Sequence, residues 1–362
     1  MVKIAYYVSD HGYGHATRSI AIIRRLISSL EDVEVHICCS GPLSFIKRSL
    51  KKENCTSFRE VVNDFGYVTD SDLRISHSAT KRRYNEWIYS WHEYIEKESR
   101  YLIENDVDLV ISDIAPQPII SAHEASVPSM AISNFTWYEI YRELYQDLRG
   151  LDRLKKAYKK ADVGLILPLE TGMSPFKKKK KISLISREPK TEYAELRRVL
   201  KVRKNDILIF FGLGRSIKDE KDVKVKMPFK YSDVKFMTFS GYGVDFNDIT
   251  IPEEETEGQD YLKAADLILS KFGYGAASEA LRCKVPMMLT TRDIIEDKKA
   301  VAKLEKYGVA RRIRKEAFIE GYMDIDLGDF IAECKNNYQS APKRYTGDGR
   351  GEVVEEVLNL ID

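Results

Sequence analysis

The chain has 362 residues, of which 43% are hydrophobic and 31% charged, a composition typical of a globular protein that excludes collagen-like, low-complexity and wholly disordered chains. The 58 lysines and arginines nearly balance the 56 aspartates and glutamates, so no overall electrostatic field recruits a nucleic acid. At about 150 residues a domain, this length predicts two domains.

The five cysteines are scattered and odd in number, and no two of them have C-x-x-C spacing. This pattern disfavours both a disulfide framework and a zinc ribbon. No stretch approaches the ~20 apolar residues of a membrane-spanning helix. The N-terminal apolar run ends at Ser9, too early for a signal peptide. The sequence therefore predicts a cytoplasmic protein.

The first half of the chain alternates short apolar runs with helical patterns. The apolar runs are continuous rather than alternating, which is typical of strands covered on both faces by helices in a parallel sheet. Two longer segments have apolar residues at helical spacing. These patterns predict strands at residues 2–8, 33–39, 108–112, 129–133 and 163–167, and helices at residues 16–30 and 84–105.

The residue composition changes after Pro168. Gly172, Pro175 and five consecutive lysines, Lys177 to Lys181, follow, and this change predicts a domain boundary. We interpret the lysine run as a solvated linker face, with weak peripheral anchoring to an anionic membrane as the alternative. The alternation of strands and helices then resumes. It predicts strands at residues 182–185, 207–211, 234–239, 267–270 and 285–289, and helices at residues 193–200, 276–282, 294–307 and 351–361.

Two α/β halves in tandem are the simplest account of these patterns. We expect a Rossmann-like N-terminal domain over residues 1–181 and a second Rossmann-like domain over residues 182–345. A C-terminal helix over residues 346–362 is expected to pack back on the first domain.

The turn after the first strand carries the first candidate site. It reads Ser9-Asp10-His11-Gly12-Tyr13-Gly14-His15-Ala16-Thr17-Arg18. Its glycines let the backbone approach a ligand, and the unpaired amides at the start of the next helix donate to oxygens. Two histidines four residues apart favour this interpretation over a tight turn with incidental histidines. The predicted substrate-binding residues here are His11, Gly12, Gly14 and Arg18.

Asp113 is a second candidate, because it follows a buried-looking strand. In a parallel sheet its carboxylate emerges at the same edge as the His15 turn, where it can hold the imidazole in the tautomer that accepts a proton. A simple helix-capping role for Asp113 remains the alternative. Asn134 and Trp137 follow the next strand, and Trp137 is the better candidate for stacking on an acceptor than the core tryptophans of the long helix.

Another strand, glycine turn and helix recur in the second half, at residues 264–281. The amides of this turn can cradle a diphosphate, and Glu279 can accept hydrogen bonds from ribose hydroxyls; ordinary exposed helix positions are the alternative. A weaker glycine turn after residue 211 adds Arg215 as a phosphate counter-charge. The predicted nucleotide-binding residues are Gly212, Gly214, Arg215, Ser270, Gly273, Gly275, Ala276, Ser278 and Glu279.

These features together resemble the GT-B glycosyltransferases. The histidine-containing glycine turn and the Ser-x-x-Gly-x-x-x-x-Ser-Glu-Ala element at residues 270–280 are similar to those of UDP-glycosyltransferases and of the bacterial enzyme that adds N-acetylglucosamine to the lipid-linked peptidoglycan precursor. Residues 6–18, 108–113, 134–137, 271–281, 292–293 and 345–347 resemble the glycosyltransferase-like N-terminal region of plant L-arabinokinases. The resemblance spans nearly the whole chain and implies two Rossmann-like domains facing each other across a cleft.

The resemblance also implies residue roles. His15 matches the family's catalytic base, Asp113 the aspartate that orients it, Glu279 the ribose-binding glutamate and residues 273–278 the phosphate-binding turn. The family's Asp-Gln pair that grips the donor sugar has no clear counterpart, although Asp293 supplies an acid there. No galactokinase-type phosphate loop is found, so kinase activity is not expected.

The expected activity is inverting, metal-independent transfer of a sugar from a nucleotide sugar, with a UDP-sugar as the expected donor, to an acceptor hydroxyl. Neither a cofactor nor a metal is predicted, because helix N-termini supply phosphate binding in this fold, although two Asp-x-Asp patterns, at residues 70–72 and 324–326, match the metal-binding motif of glycosyltransferases of the other fold. Two alternatives remain open: a non-catalytic module that binds a nucleotide sugar, and a sugar-nucleotide 2-epimerase.

Overall fold

The computed structural model describes residues 1–69, 74–212, 233–240, 248–320 and 326–361. Two of the predicted nucleotide-binding residues, Gly214 and Arg215, lie outside the described residues. So do the Asp-x-Asp pattern at residues 70–72 and the first two residues of the pattern at residues 324–326.

The first domain is a parallel sheet of seven strands covered by helices. The strand order is β3-β2-β1-β4-β5-β6-β7. The strands are β1 (Val2–Val8), β2 (Val33–Cys38), β3 (Thr56–Arg59), β4 (Leu109–Asp113), β5 (Ser129–Ser133), β6 (Val163–Ile166) and β7 (Lys179–Lys181). The helices are α1 (Tyr13–Ser29), α2 (Leu43–Ser49), α3 (His77–Glu104), α4 (Pro116–Glu124), α5 (Trp137–Leu144) and α6 (Leu151–Tyr158).

The second domain repeats this architecture with six described parallel strands in the order β10-β9-β8-β11-β12-β13. They are β8 (Ile207–Gly212), β9 (Val234–Phe239), β10 (Ile249–Ile251), β11 (Leu267–Lys271), β12 (Met287–Thr290) and β13 (Ala310–Arg312). The helices described after β7 are α7 (Tyr193–Val199), α8 (Gly258–Ala264), α9 (Tyr274–Cys283), α10 (Ile295–Lys306), α11 (Lys315–Glu320), α12 (Leu327–Asn337), α13 (Lys343–Thr346) and α14 (Gly349–Ile361).

The predicted α/β class with two Rossmann-like sheets is confirmed. The chain's central strands are buried on both faces, as their continuous apolar character predicts; in β1, residues 4–8 have no exposed surface. The last helix, α14, lies against α1 and β4 of the first domain. In the described part of the chain, no helix has both the length and the apolar character needed to cross a membrane.

The lysine run differs from its predicted role as a linker face. Lys179 to Lys181 form β7, the edge strand of the first sheet, which pairs in parallel with β6. An edge strand presents unpaired backbone groups, and lysines discourage pairing with another chain there. The strand predicted at residues 182–185 is wrong, because this segment bonds instead to the end of β6 and to Arg344.

Both sheets reverse their strand order at a point that positions a site. In the first sheet the reversal lies between β1 and β4, where Val8 pairs with Asp113. In the second sheet it lies between β8 and β11, where Gly212 pairs with Ser270. Open α/β sheets bind ligands in the crevice at such reversal points, beyond the carboxyl ends of the strands.

Candidate active site

Two glycine turns, one from each domain, meet at the cleft. The first precedes α1 and the second precedes α9. A Cβ atom on Gly275 would lie 2.9 Å from the Cα of Gly14 and 2.6 Å from the Oγ1 of Thr17, so the two backbones touch only because both positions are glycine. The two turns therefore line one shared cleft, as the resemblance implies for the two domains.

The cleft is lined by residues of both domains. The first domain contributes His11, His15 and Arg18, and the second contributes Lys271, Glu279 and Glu296. Gly12 and Gly14 line it on one side; Gly212, Ser270, Gly273, Gly275 and Ala276 line it on the other. Most of the sequence-predicted residues that the structure describes are therefore brought together.

His15 is hydrogen bonded to Asp113, with 2.7 Å between its Nδ1 and the Oδ1 of the carboxylate. Both side chains are buried. A carboxylate only accepts hydrogen bonds when ionised, so Nδ1 carries the proton in this pair and Nε2 keeps its lone pair. His15 can therefore accept a proton at Nε2.

Arg18 also binds Asp113, in a bidentate pair. Its Nε donates to Oδ2 at 2.6 Å and its Nη2 to Oδ1 at 2.5 Å. Burial raises the pKa of Asp113, but the charge of Arg18 and the hydrogen bonds from Arg18 and His15 outweigh this effect and lower the pKa to about 2. Burial and the adjacent guanidinium lower the pKa of His15 below its usual value, against the opposing effect of Asp113. The imidazole is thus neutral at neutral pH.

Asn134 connects this cluster to the second domain. It accepts a hydrogen bond from the Nη1 of Arg18 at 2.9 Å and donates to Glu296 Oε1 at 2.9 Å. Burial, followed by repulsion from Asp297, raises the pKa of Glu296 to about 7. The cleft therefore holds a carboxyl group that titrates near neutral pH.

Trp137 is not among the residues that line the cleft, so it is not placed to stack on an acceptor. It is completely buried, and its Nε1 donates to Asp64 at 2.8 Å. Its ring packs edge-on against His11, with 5.4 Å between centroids. It supports the His11 turn from behind and offers no free face to the cleft.

The buried Asp64 and the half-buried Asp10 form an acidic pair behind this turn, which the sequence did not single out as a pair. Asp10 accepts hydrogen bonds from the backbone amides of Ser40, Gly41 and Asn63. Asp64 accepts from Ser9 and from the amide of Asp10. Burial and the charge of Asp10 raise the pKa of Asp64 to about 7. The pair fixes the shape of the β1–α1 turn; its partners are 30 to 55 residues apart, so no local pattern reveals it.

On the nucleotide side, Glu279 is buried and paired with Arg187, with 2.7 Å between Oε1 and Nε. Arg187 also donates to the backbone carbonyl of Thr256. No motif marks Arg187, which lies in the connection between the domains. Ser278 donates to the carbonyl of Gly275 at 2.8 Å, so its side chain stabilises the first turn of α9 and does not line the cleft.

Asp293, predicted to contact the donor sugar, points outward. Its side chain is 88% exposed and forms an ion pair with Lys298. Three residues later, Glu296 enters the cleft instead. Arg292 also lines the cleft, held by Asp297 through both Nε and Nη2. Arg292 and Asp293 precede α10, whereas Glu296 lies in its first turn, and the sequence pattern did not resolve which of these side chains enters the cleft.

In the part of the chain that the structure describes, no group of three or more metal-ligating side chains is found. Metal independence stays a prediction.

The comparisons with solved structures decide the fold. UGT2 of Phytolacca americana, in complex with UDP-2-fluoro-glucose and pterostilbene, superposes with a TM-score of 0.66 over the full length of both chains, at 14% sequence identity. A UDP-glucosyltransferase from Polygonum tinctorium capable of glucosylating indoxyl gives 0.63 at 13% identity, covering 99% of this chain and 98% of the other. The chain has the GT-B fold. The glycosyltransferase of kitacinnamycin superposes similarly, at 0.62 and 14% identity over 99% of each chain.

The comparison with curated proteins confirms the second resemblance. L-arabinokinase of Arabidopsis thaliana is 26% identical over 98% of this chain. The aligned region is 34% of that protein, so this chain spans about a third of the relative's length. No protein-family model matches the chain.

Proposed function

We propose that the protein is a glycosyltransferase that moves a sugar from a nucleotide sugar to an acceptor hydroxyl, with inversion and without a metal ion. One observation carries the proposal: a buried His15, held by Asp113, faces the N-terminus of α9 across a cleft between two domains. Solved structures of the same fold contain UDP or a UDP-sugar. We therefore take a UDP-sugar as the donor.

The donor would lie on the second domain. The free amides at the start of α9 carry partial positive charge and donate to phosphate oxygens. Lys271, at the end of β11, adds a full charge beside them in the cleft. Glu279 is held in place by Arg187, and its carboxylate can accept hydrogen bonds from ribose hydroxyls.

The acceptor would approach from the first domain. As its hydroxyl oxygen attacks the anomeric carbon, the Nε2 of His15 takes the hydroxyl proton. The bond between the anomeric carbon and the diphosphate oxygen breaks, and the nucleoside diphosphate leaves with that electron pair. One displacement of this kind inverts the configuration. Asp113 stabilises the imidazolium that forms.

Nucleotide binding is tested by a thermal-shift screen over nucleoside diphosphates and their sugars. A ligand that binds only the folded state stabilises it by ~2.7 kcal/mol at 100 times its dissociation constant. We expect UDP and a UDP-sugar to raise the melting temperature. If no nucleoside diphosphate or its sugar does so, the nucleotide-binding part of the proposal fails.

Catalysis is tested with His15→Ala. We expect turnover to fall by ~100 to 10,000-fold, because general-base assistance contributes that much, while UDP still raises the melting temperature. His92→Ala, an exposed histidine on α3, serves as the matched control and should retain activity. Normal turnover in His15→Ala would show that another group is the base.

The products distinguish the two alternatives. An epimerase releases nucleotide and an altered sugar in the absence of acceptor, whereas a transferase needs the acceptor. A binding module shows UDP-sugar affinity but neither hydrolysis nor transfer across an acceptor panel. Either result contradicts the transferase proposal.

A further inference from the structure

Arg18 is buried at the centre of the cleft and directs its guanidinium at the protein's own oxygens. Its side chain is 1% exposed. Three of its nitrogens donate to Asp113 and Asn134, and Nη2 also lies 3.4 Å from the Oγ of Ser133. The predicted role of Arg18 as a substrate-binding residue does not account for this arrangement, because these hydrogen bonds fix the guanidinium in the absence of any ligand.

The guanidinium also lies beside the base. Its Nη2 is 2.8 Å from the Nδ1 of His15, and both nitrogens approach the same oxygen, Oδ1 of Asp113. If Nδ1 lacked its proton, it could accept from Nη2 of Arg18, but its lone pair would also face that carboxylate oxygen at 2.7 Å, which is repulsive. Nη2 already donates to the same oxygen, so it does not need Nδ1 as an acceptor. The proton therefore stays on Nδ1 and points at Asp113, while the positive charge of Arg18 disfavours a second proton on the ring.

We propose that Arg18 is a positioning residue for the base: by neutralising Asp113 at the side of His15, it keeps the imidazole uncharged and able to accept a proton at neutral pH. An aspartate alone would stabilise the imidazolium before substrate binds. With Arg18 present, the three side chains together carry no net charge while the imidazole is neutral. The inference rests on the proposed function at one point only, namely that the accepted proton comes from the acceptor hydroxyl.

Other charged and titratable groups line the cleft around His15, and they also affect whether its imidazole is protonated. From the β1–α1 turn comes His11; from the second domain come Lys271, Tyr274, Arg292 and Glu296, which line the same cleft. The Arg18 guanidinium itself lies over the ring of Tyr274, 5.2 Å from its centroid. Arg18 and Asp113 contact the His15 ring directly, at 2.8 Å and 2.7 Å from its Nδ1. Arg18 is therefore the cation with the strongest effect on the ring.

The fork shape of the guanidinium has a role besides its charge. Nε and Nη2 hold Asp113, while Nη1 holds Asn134, which in turn donates to Glu296 of the second domain. A lysine supplies the charge as a single point and cannot make both contacts in this geometry. Lysine at this position thus separates the electrostatic role from the positioning role.

The experiment is an NMR titration of the His15 imidazole, by ¹⁵N correlation spectra of the whole protein without substrate. In the wild type we expect a neutral ring with the proton on Nδ1 at pH 7. In Arg18→Met we expect the titration midpoint of His15 to rise by about 1–3 pH units, because the like charge is removed and Asp113 is left unbalanced. In Arg18→Lys the midpoint should stay near that of the wild type.

Arg59→Met is the matched control. Arg59 pairs with the buried Glu98 at 2.9 Å on the far side of β1, so this variant also leaves a buried carboxylate without its arginine. It should be destabilised in a similar way without moving the His15 midpoint. A comparable shift in Arg59→Met would overturn the inference, since the effect would then reflect loosening of the domain.

Two further outcomes would overturn the inference: an imidazolium at pH 7 in the wild type, or an unchanged midpoint in Arg18→Met. If Arg18→Met does not fold, the wild-type ionisation state and the midpoint in Arg18→Lys decide the question. The titration needs no turnover, so it is independent of the transferase proposal. Where turnover is measured, the rising limb of the pH profile should move to higher pH in Arg18→Met and keep its position in Arg18→Lys, with a lower maximum rate.

Discussion

Asp113 accepts hydrogen bonds from three neighbouring side chains at once, which explains how a fully buried carboxylate stays ionised. His15 and Arg18 supply the charged and aromatic donors, and Ser19 adds a hydroxyl at 3.2 Å. Burying a charge costs several kcal/mol unless it is paired and hydrogen bonded. The same carboxylate therefore stabilises the first domain and orients the proposed base.

This double role predicts an acid-sensitive contribution to stability. The pKa of Asp113 is about 2 in the folded protein, below the ordinary 3.8, so its contribution is present above about pH 4 and is lost as the pH falls toward 2. Asp113→Asn should lower the free energy of unfolding at pH 7 by about 3–5 kcal/mol, since it leaves Arg18 buried without its anion. Its stability should also depend less on pH between 4 and 2.

Urea denaturation at several pH values measures both effects. Asp293→Asn is the matched control, because Asp293 is exposed and its ion pair with Lys298 should contribute within about 1 kcal/mol. Equal destabilisation of the two variants would contradict the structural role assigned to Asp113.

At the scale of the elements, the site is made by two helix N-termini that meet. α1 and α9 each follow a strand at the reversal point of their sheet, and each begins after a glycine. Gly14 and Gly275 bring the two backbones into contact, whereas a Cβ on Gly273 would meet nothing within 4 Å. The open space beside Gly273 is where the proposed diphosphate would lie.

The two glycines should therefore respond differently to alanine. Gly275→Ala forces Gly14 and Thr17 away and should destabilise the unliganded protein by about 1–3 kcal/mol, the usual effect of overpacking. Gly273→Ala should leave the unliganded melting temperature nearly unchanged, because Gly273 has an ordinary extended backbone, and should weaken UDP binding. Thermal shift with and without UDP measures both. Unaltered UDP affinity in Gly273→Ala would place the diphosphate elsewhere.

At the scale of the whole molecule, polar contacts hold the two domains together around the cleft. Arg24 on α1 pairs with Glu257 at 2.6 Å, Lys303 on α10 pairs with Glu170 at 3.1 Å, and Asn134 bonds to Glu296. Glu296 is buried at this interface, and its raised pKa links domain contact to pH.

The sign of this link follows from the direction of the shift. Because the pKa of Glu296 is about 7 in the folded protein and 4.5 ordinarily, the folded state holds the proton more tightly and loses stability as the pH rises from about 4.5 to 7. A shift of this size corresponds to about 3 kcal/mol. Asp64, whose pKa is also about 7, acts in the same direction.

Glu296→Gln should therefore reduce the fall in melting temperature between pH 5 and pH 8. Glutamine still offers an oxygen to Asn134 but carries no charge to bury. Part of the fall should remain, owing to Asp64. An identical pH dependence in the variant and the wild type would show that Glu296 is ionised at no cost in the folded protein.

Much of the fold was predictable from local patterns. Local patterns predict the long apolar strands and the glycine turns after β1 and β11, because burial and backbone conformation select particular residue types at consecutive positions. The short strands β3, β10 and β13 were not predicted, since three or four residues carry too little periodicity. The lysines of β7 suggested a linker because charge is typical both of linkers and of protected sheet edges.

The amino-acid sequence by itself determined the two α/β halves, the placing of His15 and Glu279 on helices that follow strands, and hence the edge of each sheet where they lie. Only the tertiary structure decided which side chains meet: Arg18 with Asp113, Arg187 with Glu279, and Glu296 rather than Asp293 in the cleft. The reason is physical. Strand and turn preferences act between neighbours in the chain, whereas these pairs are 92 or more residues apart and form only when the sheets and domains pack.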